Sequence, residues 1–305
     1  MKVAVVGATG VVGSATVRAL VGSGHDVFAL ARTHDKGTLL ESWGATAVPA
    51  DLFDRGSLVA MFEGCDVVVN AATRIPVGLR ALRSSAWREN DRLRTAGART
   101  VAEAARAAHV RRVIQESVSL VYADQGESWI DEQSPLDING ATEPSCVAES
   151  VAQDFQSDLR QGVVLRFGTI VGDDPMTRFY LEAARRGRAI GLGSPEGWVH
   201  PVHTDDLGTA VVAALGAPSG VYNVGAAPVR RRELVQGYAD IVGRRSLAFA
   251  GPLLRRFGGA RTEPATRSLR VTSEHFRAST GWTPRRDEFD VSWLEGAQMA
   301  TRAVR

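Results

Sequence analysis

The stretch that decides the fold is Lys2-Val3-Ala4-Val5-Val6-Gly7-Ala8-Thr9-Gly10-Val11-Val12-Gly13, in which a short apolar run leads directly into three glycines. Such a run predicts a buried strand, and residues 11–22 have the apolar spacing of a helix. In a unit of strand, turn and helix, Gly7 permits the tight turn, Gly10 lets the backbone approach a pyrophosphate, and Gly13 lets the helix pack closely against the strand. The first N–H groups of that helix would face the anion. The sequence therefore predicts a dinucleotide site at this turn.

The same alternation of apolar runs and helical stretches continues over the first 170 residues. The predicted strands are Val3–Val6, Val27–Ala31, Ala45–Pro49, Val67–Asn70, Arg112–Gln115 and Val163–Arg166. The predicted helices between them are 11–22, 36–43, 56–63, 91–109 and 146–160. Runs that are apolar throughout are typical of parallel strands buried on both faces. The pattern predicts an α/β fold, a doubly wound parallel sheet of the Rossmann type.

Beyond Gly168 the regular alternation of strand and helix patterns ends, because Pro, Gly and Trp interrupt the segments 172–204 and 244–270. A helix near 206–215, a strand over Gly220–Val224 and a final helix over 289–304 are predicted there. We expect residues 1–170 to form the nucleotide-binding domain. Residues 171–305 would form mainly a smaller lobe that caps the carboxyl edge of the sheet, while the segment 200–225 returns to the first domain.

Composition excludes several classes of function. The 305 residues carry a formal net charge of +2, and of 36 basic residues only Lys2 and Lys36 are lysines. The arginines are scattered among acids and form no basic stripe, so no nucleic acid partner is expected. Cys65 and Cys146 are isolated, which fits a reducing cytosol. The spacing of His200 and His203 resembles a metal-ligand pair but has no third ligand in register, so no metal is expected. No signal peptide pattern and no apolar run of about 20 residues are seen, so we expect a cytoplasmic protein without a membrane partner.

The GxxGxxG spacing is that of the short-chain dehydrogenase/reductase superfamily, and four later segments resemble its extended branch, the NAD-dependent epimerase/dehydratase family. They are Val164–Gly172, His200–Leu207, Gly220–Gly225 and Gly281–Pro284. The resemblance implies an NAD(P)-binding Rossmann fold. It places the cofactor against Gly7, Thr9, Gly10, Val11, Val12, Gly13, Arg32, Asp51, Leu52, Asn70, Ala71, Ala72, Phe167, Gly168 and Thr169.

Arg32 decides the expected cofactor. It stands nineteen residues past Gly13, where the family pattern would put an acidic side chain on the ribose hydroxyls of NAD. A guanidinium at that position suits a 2′-phosphate, and His34 and Lys36 add positive charge. NADP is therefore favoured over NAD.

The resemblance breaks at the catalytic pair. The family pattern has Tyr-x-x-x-Lys on the helix before the sixth strand, but here that helix, Glu143–Val151, contains neither residue. The four tyrosines are followed four positions on by Gly, Ala, Ala and Val, so the pair is absent from the whole chain. Remaining candidates for the proton-donating hydroxyl are Ser117, Ser119 and Tyr122. The two serines fit a local turn equally, and core packing is the favoured role of Tyr122.

The expected substrate site draws on residues near the strand ends and the cap. Arg74, Trp129, Trp198 and His200 are the candidates, and Glu149 is either a buried acid or base or a solvated helix carboxylate. An apolar pocket suits a small apolar or aromatic carbonyl or enone, which NADPH would reduce. Two alternatives stay open, an NmrA-like sensor that binds NAD(P) without turnover and a nucleotide-sugar epimerase or dehydratase. A homodimer also stays open.

Overall fold

A computed structural model describes residues 1–249 and 261–303. Its strands are β1 (Lys2–Val6), β2 (Asp26–Ala31), β3 (Thr46–Pro49), β4 (Val67–Asn70), β5 (Arg112–Val118), β6 (Trp129–Ile130), β7 (Gln161–Phe167), β8 (Thr169–Val171), β9 (Trp198–Val199), β10 (Pro201–His203), β11 (Gly220–Val224), β12 (Val229–Arg230) and β13 (Arg270–Val271).

The helices are α1 (Val11–Gly22), α2 (His34–Ser42), α3 (Arg55–Phe62), α4 (Arg88–Arg92), α5 (Ala98–Ala107), α6 (Glu143–Asp154), α7 (Pro175–Arg185), α8 (Thr204–Ala214), α9 (Arg231–Ile241), α10 (Glu274–Thr280) and α11 (Glu295–Ala303). Short 3-10 turns cover Gly78–Leu82, Ser84–Trp87, Ser119–Val121, Glu263–Thr266 and Val291–Leu294.

Seven strands form one parallel sheet in the order β11-β7-β5-β4-β1-β2-β3. Side chains alternate between its faces. In β1, Val3 and Val5 pack into the cluster under α1 and α8, while Ala4 and Val6 pack into the cluster under α3 and α5. This burial on both faces explains the uninterrupted apolar runs in the sequence. The predicted doubly wound parallel sheet is confirmed.

Several predicted boundaries were wrong. The helix expected over 91–109 begins at Arg88 and contains a π-helical turn at Leu93–Gly97. The helix expected over 146–160 ends at Asp154. Strand β5 continues past Gln115 because its pairing with β7 persists to Val118 opposite Phe167. Pairing with β7, which local sequence does not encode, fixes the end of β5.

The chain after Gly168 contributes both to the main parallel sheet and its helices and to a second, separate core. Helix α8 packs on α1, and β11 pairs with β7 inside the main sheet. Helices α7 and α9 instead build a separate core around Leu181, Tyr238 and Trp293. The domain boundary at residue 170 stays a prediction. In the part of the chain that the structure describes, no helix is long and apolar enough to cross a membrane.

The packing of α8 on α1 depends on Gly208. A Cβ at this position would lie 2.3 Å from the carbonyl oxygen of Ala15, which is backbone and cannot rotate away. We expect Gly208→Ala to lower the free energy of unfolding by about 1–3 kcal/mol, as overpacking does. Urea unfolding measures this. Gly22→Ala is the matched control, since no atom lies within 4 Å of its Cβ, and a loss of stability there equal to that of Gly208→Ala would contradict the packing argument.

Candidate active site

A long cleft of about 800 Å³ follows the carboxyl ends of β1 and β2 and the segments after β3 and β4. The sequence-predicted cofactor residues that line it are Gly7, Thr9, Gly10, Arg32, Asp51, Leu52 and Ala72. These residues come from four separate turns. The sheet brings them together because parallel strands end at the same edge.

The glycine turn at the centre of this cleft is built by backbone contacts. Gly7 has φ +78°, and a Cβ on it would lie 2.5 Å from the carbonyl carbon of Ala71. A Cβ on Gly13 would lie 2.1 Å from the carbonyl oxygen of Gly7. Val11 and Val12 therefore begin α1 directly above the turn, with their N–H groups at the positive end of the helix.

Asn70 and the two alanines after it form the neighbouring wall. Asn70 is buried, and its Nδ2 donates to Gln115 Oε1 at 2.8 Å while its Oδ1 accepts the N–H of Ala72 at 3.3 Å. Ala71 is buried against Gly7. These contacts shape the backbone beside the cleft and leave the Asn70 side chain facing the sheet.

Arg32 and Lys36 line the cleft, and among the described residues neither has an acidic partner. Arg32 is exposed and Lys36 half-buried, and in the described ranges neither lies within ion-pair distance of a carboxylate. Arg74 lies in this cleft too, where it pairs with Glu89 at 2.8 Å. Arg74 does not line the second cavity described below, because the chain after β4 follows this first cleft, and its contact with a substrate stays a prediction.

A second, smaller cavity of about 240 Å³ begins at the carboxyl ends of β5 and β7. Its walls are mainly apolar and aromatic, with Met176, Tyr180, Ile190, Leu192, Leu234 and Tyr238 among them. Of the sequence-predicted residues, Ser119, Thr169, Trp198 and His200 line this cavity. Phe167 and Gly168 lie beside it, with the Gly168 N–H donating to the Val224 carbonyl at 2.9 Å.

Ser117 and Tyr122 do not line either cavity. Ser117 is buried and donates its hydroxyl hydrogen bond to Glu149. The Tyr122 hydroxyl accepts from Arg166 at 2.8 Å and donates to Asn223 at 2.8 Å. Burial raises the pKa of Tyr122 to about 12. Both side chains thus belong to an internal polar network, and Ser119 is the one candidate hydroxyl of the three that faces a cavity.

Glu149 is the centre of that network. Its side chain is 5% exposed, and it binds Arg166 through both carboxylate oxygens, with the shorter contact at 2.6 Å. The alternative of a solvated carboxylate at Glu149 is wrong. A second buried pair, Arg94 with Glu116 at 3.0 Å, lies next to it. Two carboxylates and two guanidiniums therefore fill the region between α6 and the end of β5.

The two predicted tryptophans have different positions. Trp198 lines the cavity, and its Nε1 donates to Glu127 at 3.0 Å. Trp129 is 56% exposed and does not line the cavity. Arg270 lies between them, 4.2 Å from the ring centre of Trp129 and 4.7 Å from that of Trp198. Trp129 is therefore on the outer side of the cavity wall.

His200 lies inside the protein at the edge of the cavity. It is 2% exposed, and its Nε2 is 3.2 Å from Ser273 Oγ. Desolvation by burial and, to a smaller extent, the charge of Arg277 together lower the pKa of His200 to about 3. The imidazole is consequently neutral at physiological pH, so it is not a general acid there.

Sequence reasoning missed Arg231. This residue begins α9, is 5% exposed and lines the cavity. It lies in the run Arg230-Arg231-Arg232, whose members look alike in the sequence. Arg230 covers the ring of Trp198 at 3.9 Å and Arg232 pairs with Glu196 at the surface. Only the tertiary structure separates their roles. Within residues 1–249 and 261–303, no three His, Cys, Asp or Glu side chains are grouped to hold a metal.

Comparison with known proteins gives a family and a set of reductases. The model of the NAD dependent epimerase/dehydratase family matches residues 3–225. A 3-diazoavenalumate denitrifying reductase from Streptomyces sp is 32% identical over 317 residues, which is 97% of this chain and 99% of the relative. A 2-alkyl-3-oxoalkanoate reductase from Shewanella oneidensis is 28% identical over 225 residues, covering 69% of this chain and 56% of the relative.

Solved structures show the same fold at low identity. MoeE5 in complex with UDP-glucose and NAD superimposes with a TM-score of 0.79 at 22% identity over all of both chains. UDP-glucose 4-epimerase from Thermotoga maritima gives a TM-score of 0.81 at 17% identity, also over all of both chains. These likenesses establish the Rossmann-type fold of the chain.

The buried His200 makes stability depend on pH. Its pKa is 6.5 when unfolded and about 3 when folded, so below pH 6.5 the unfolded state takes up a proton that the folded state excludes. Stability is therefore lost as pH falls from 6.5 towards 3. We expect wild type to lose up to about 1.4 kcal/mol per pH unit more than His200→Asn over this window.

Urea unfolding at pH 7, 6, 5 and 4 measures the difference between the two proteins. His34→Asn, at an exposed histidine, serves as the control and should keep the wild-type slope. Equal slopes for wild type and His200→Asn would show that His200 is not excluded from protonation in the folded state.

Proposed function

Because the chain belongs to the NAD dependent epimerase/dehydratase family, we propose that it is an NADPH-dependent reductase of a small, largely apolar molecule. The observation that carries this proposal is the position of the two cavities. The lining of the dinucleotide cleft includes Ala72, just after β4, and the lining of the apolar cavity includes Ser119, just after the neighbouring β5. A nicotinamide ring at the end of the cleft would thus face a substrate in the cavity.

The preference for NADP rests on Arg32 and Lys36. A 2′-phosphate at the ribose nearest β2 would supply the counter-charge that both cations lack among the described residues. Asp51 is held by its bond from the Phe53 N–H at 3.0 Å, which keeps its carboxylate at the rim of the cleft. Arg92 covers the Phe53 ring at 3.7 Å and extends the same wall.

When bound, NADPH supplies the hydride that reduces the substrate. The protein would bind the substrate in an apolar cavity that excludes water, with the Ser119 hydroxyl against its polar atom. Catalysis would then depend mainly on placing the substrate against the cofactor. The internal network holds Ser117 and Tyr122 away from the cavity, which supports Ser119 as the hydroxyl that touches substrate.

A carbonyl or an enone needs a proton as well as a hydride. Among the described residues that line the cavity, none is an acid at neutral pH: His200 is neutral, burial raises the pKa of Tyr180 and of Tyr238, and the remaining candidates are hydroxyls and guanidiniums. Reduction of a carbonyl or enone would thus draw its proton through Ser119 or from water.

A second acceptor class is favoured by this lack of an acid. The relative that matches over 97% of the chain is named a denitrifying reductase of a diazo compound. If an aromatic diazonium carbon accepts the hydride, a C–H bond forms while the C–N bond breaks and its electron pair leaves with N₂. NADPH becomes NADP⁺, and no proton is consumed. A site without the Tyr-x-x-x-Lys pair is suited to that reaction.

The other two functions expected from the sequence have less support. A cavity of about 240 Å³ lies below the range of about 300–1,000 Å³ typical of sites for drug-sized ligands, so it suits a molecule smaller than a nucleotide sugar. A sensor without turnover would need no apolar cavity beside the nicotinamide end of the cleft. Both remain distinguishable by experiment.

Cofactor preference provides the first test. We expect Arg32→Ala to weaken NADP⁺ binding about 10- to 100-fold, since a charge-assisted hydrogen bond contributes about 1.5–3 kcal/mol. The Kd of NAD⁺ should change less than about twofold because NAD⁺ lacks the phosphate. Isothermal titration calorimetry gives both constants. Arg99→Ala, exposed on α5 and outside the cleft, is the control. Equal losses for NADP⁺ and NAD⁺ would contradict the assignment of Arg32 to the phosphate.

Turnover provides the second test. NADPH deuterated at C4, prepared as each epimer, is incubated with benzylideneacetone or with an aryl diazonium salt, and products are analysed by mass spectrometry. Transfer of deuterium to the product carbon from one C4 epimer of NADPH, and not from the other, would support a reductase. Ser119→Ala should slow the reduction of the ketone or enone by about a hundredfold, within the range for proton donors. The rate of diazonium reduction should stay nearly unchanged. If NADP⁺ binds tightly and neither acceptor class consumes NADPH, the reductase proposal fails and a sensor is favoured.

A further inference from the structure

The Arg231 guanidinium is buried in the cavity wall without an acidic partner. It donates to the carbonyl oxygens of Ser194 at 2.8 Å and Arg267 at 2.6 Å. In the part of the chain that the structure describes, no carboxylate lies within 4.0 Å of it, and residues 250–260 and 304–305 contain no Asp or Glu side chain. A buried charge is normally paired because its desolvation is costly.

The cavity as a whole is positively charged. Its described lining includes Arg231 and Arg267 and no Asp or Glu. Arg267 is balanced by Glu263 at 2.6 Å and by Asp137 at 2.9 Å. Arg231 has no such ion pair: burial lowers its pKa, and the charge of Asp124, which lies beyond ion-pair distance, opposes only part of that effect.

The surrounding backbone is shaped to hold this guanidinium. A Cβ on Gly197 would lie 2.6 Å from Arg231 Nη1, and one on Gly193 would lie 2.8 Å from it. The start of α9 is not itself available, because the N–H of Arg231 donates to Gly197 and that of Arg232 donates to Pro195. Any anion in this part of the cavity would thus meet the guanidinium and not the helix end.

We propose that Arg231 binds a carboxylate of the substrate, which makes the substrate a small organic acid with an apolar, planar body. The body would lie along Trp198, Tyr180 and Leu234, and the carboxylate at the α9 end of the cavity, with the reacting carbon towards Ser119. This inference rests on the proposed function only in taking the cavity as the substrate site. It defines a specificity-determining residue that no motif indicates.

The test compares trans-cinnamate with its methyl ester, which has the same ring and chain but no charge. Binding is measured by calorimetry in saturating NADP⁺, so that the cations of the dinucleotide cleft are occupied. Wild type should bind the acid about 10- to 100-fold more tightly than the ester, as expected for a charged hydrogen-bonded pair. Arg231→Met should reduce this preference to within about twofold without changing the Kd of NADP⁺.

Arg232→Met is the matched control, because the neighbouring Arg232 lies at the surface on Glu196, and it should keep the wild-type preference. If Arg231→Met no longer binds NADP⁺ and has therefore lost its fold, Gly197→Ala replaces it, since the added methyl displaces the guanidinium. Equal binding of acid and ester by wild type, or an acid preference that survives these variants, would overturn the proposal. Binding of phenyl phosphate without binding of cinnamate would also overturn the proposal.

Because the assay measures binding and not turnover, its result is independent of the reductase test. If the protein prefers the acid through Arg231 but never oxidises NADPH, the carboxylate site is supported and the proposed activity is contradicted. If the protein reduces diazonium salts or enones without any preference for an acid, the proposed activity is supported and the carboxylate site is contradicted.

Discussion

The ion pair between Glu149 and Arg166 connects α6 to β7 in the interior of the protein. Both side chains are 5% exposed, so each has given up its hydration and depends on the other to offset that cost. Loss of one partner of such a pair typically costs about 3–5 kcal/mol, because the remaining charge stays buried. The pair also holds the Ser117 and Tyr122 hydroxyls, and through Tyr122 it reaches Asn223 on β11. The ends of three adjacent strands are thereby fixed.

This constraint shapes the chemistry of the neighbouring cavity. Hydroxyls that would be free to exchange a proton are used to satisfy buried charges, and the cavity that remains is lined mainly by apolar and aromatic side chains. Such a surface binds and orients a substrate well but offers little acid catalysis. Under the proposed function, this lining favours reactions that depend on placing the acceptor against the cofactor more than on acid catalysis.

Because the chain has only two lysines, arginine side chains supply nearly all of its positive charges. Arg166 neutralises Glu149, Arg94 neutralises Glu116, and Arg230 fixes the Trp198 wall from outside. The planar guanidinium suits these buried and stacked positions, because it spreads its charge and presents several donors in fixed directions. Arg231 differs from the others since its donors meet only backbone carbonyls among the described residues.

The sequence by itself determined the strand–turn–helix unit around Gly7, the alternation of strands and helices, and the absence of the Tyr-x-x-x-Lys pair, because these depend on neighbours along the chain. It also placed Arg32 and Asp51 at one edge, since parallel strands end together. Only the tertiary structure decided that Ser119 faces the cavity while Ser117 does not, that Arg74 follows the dinucleotide cleft, and that Glu149 is paired. Those outcomes depend on which side chains meet across strands and helices far apart in sequence. The spacing of residues in a single chain does not specify these contacts.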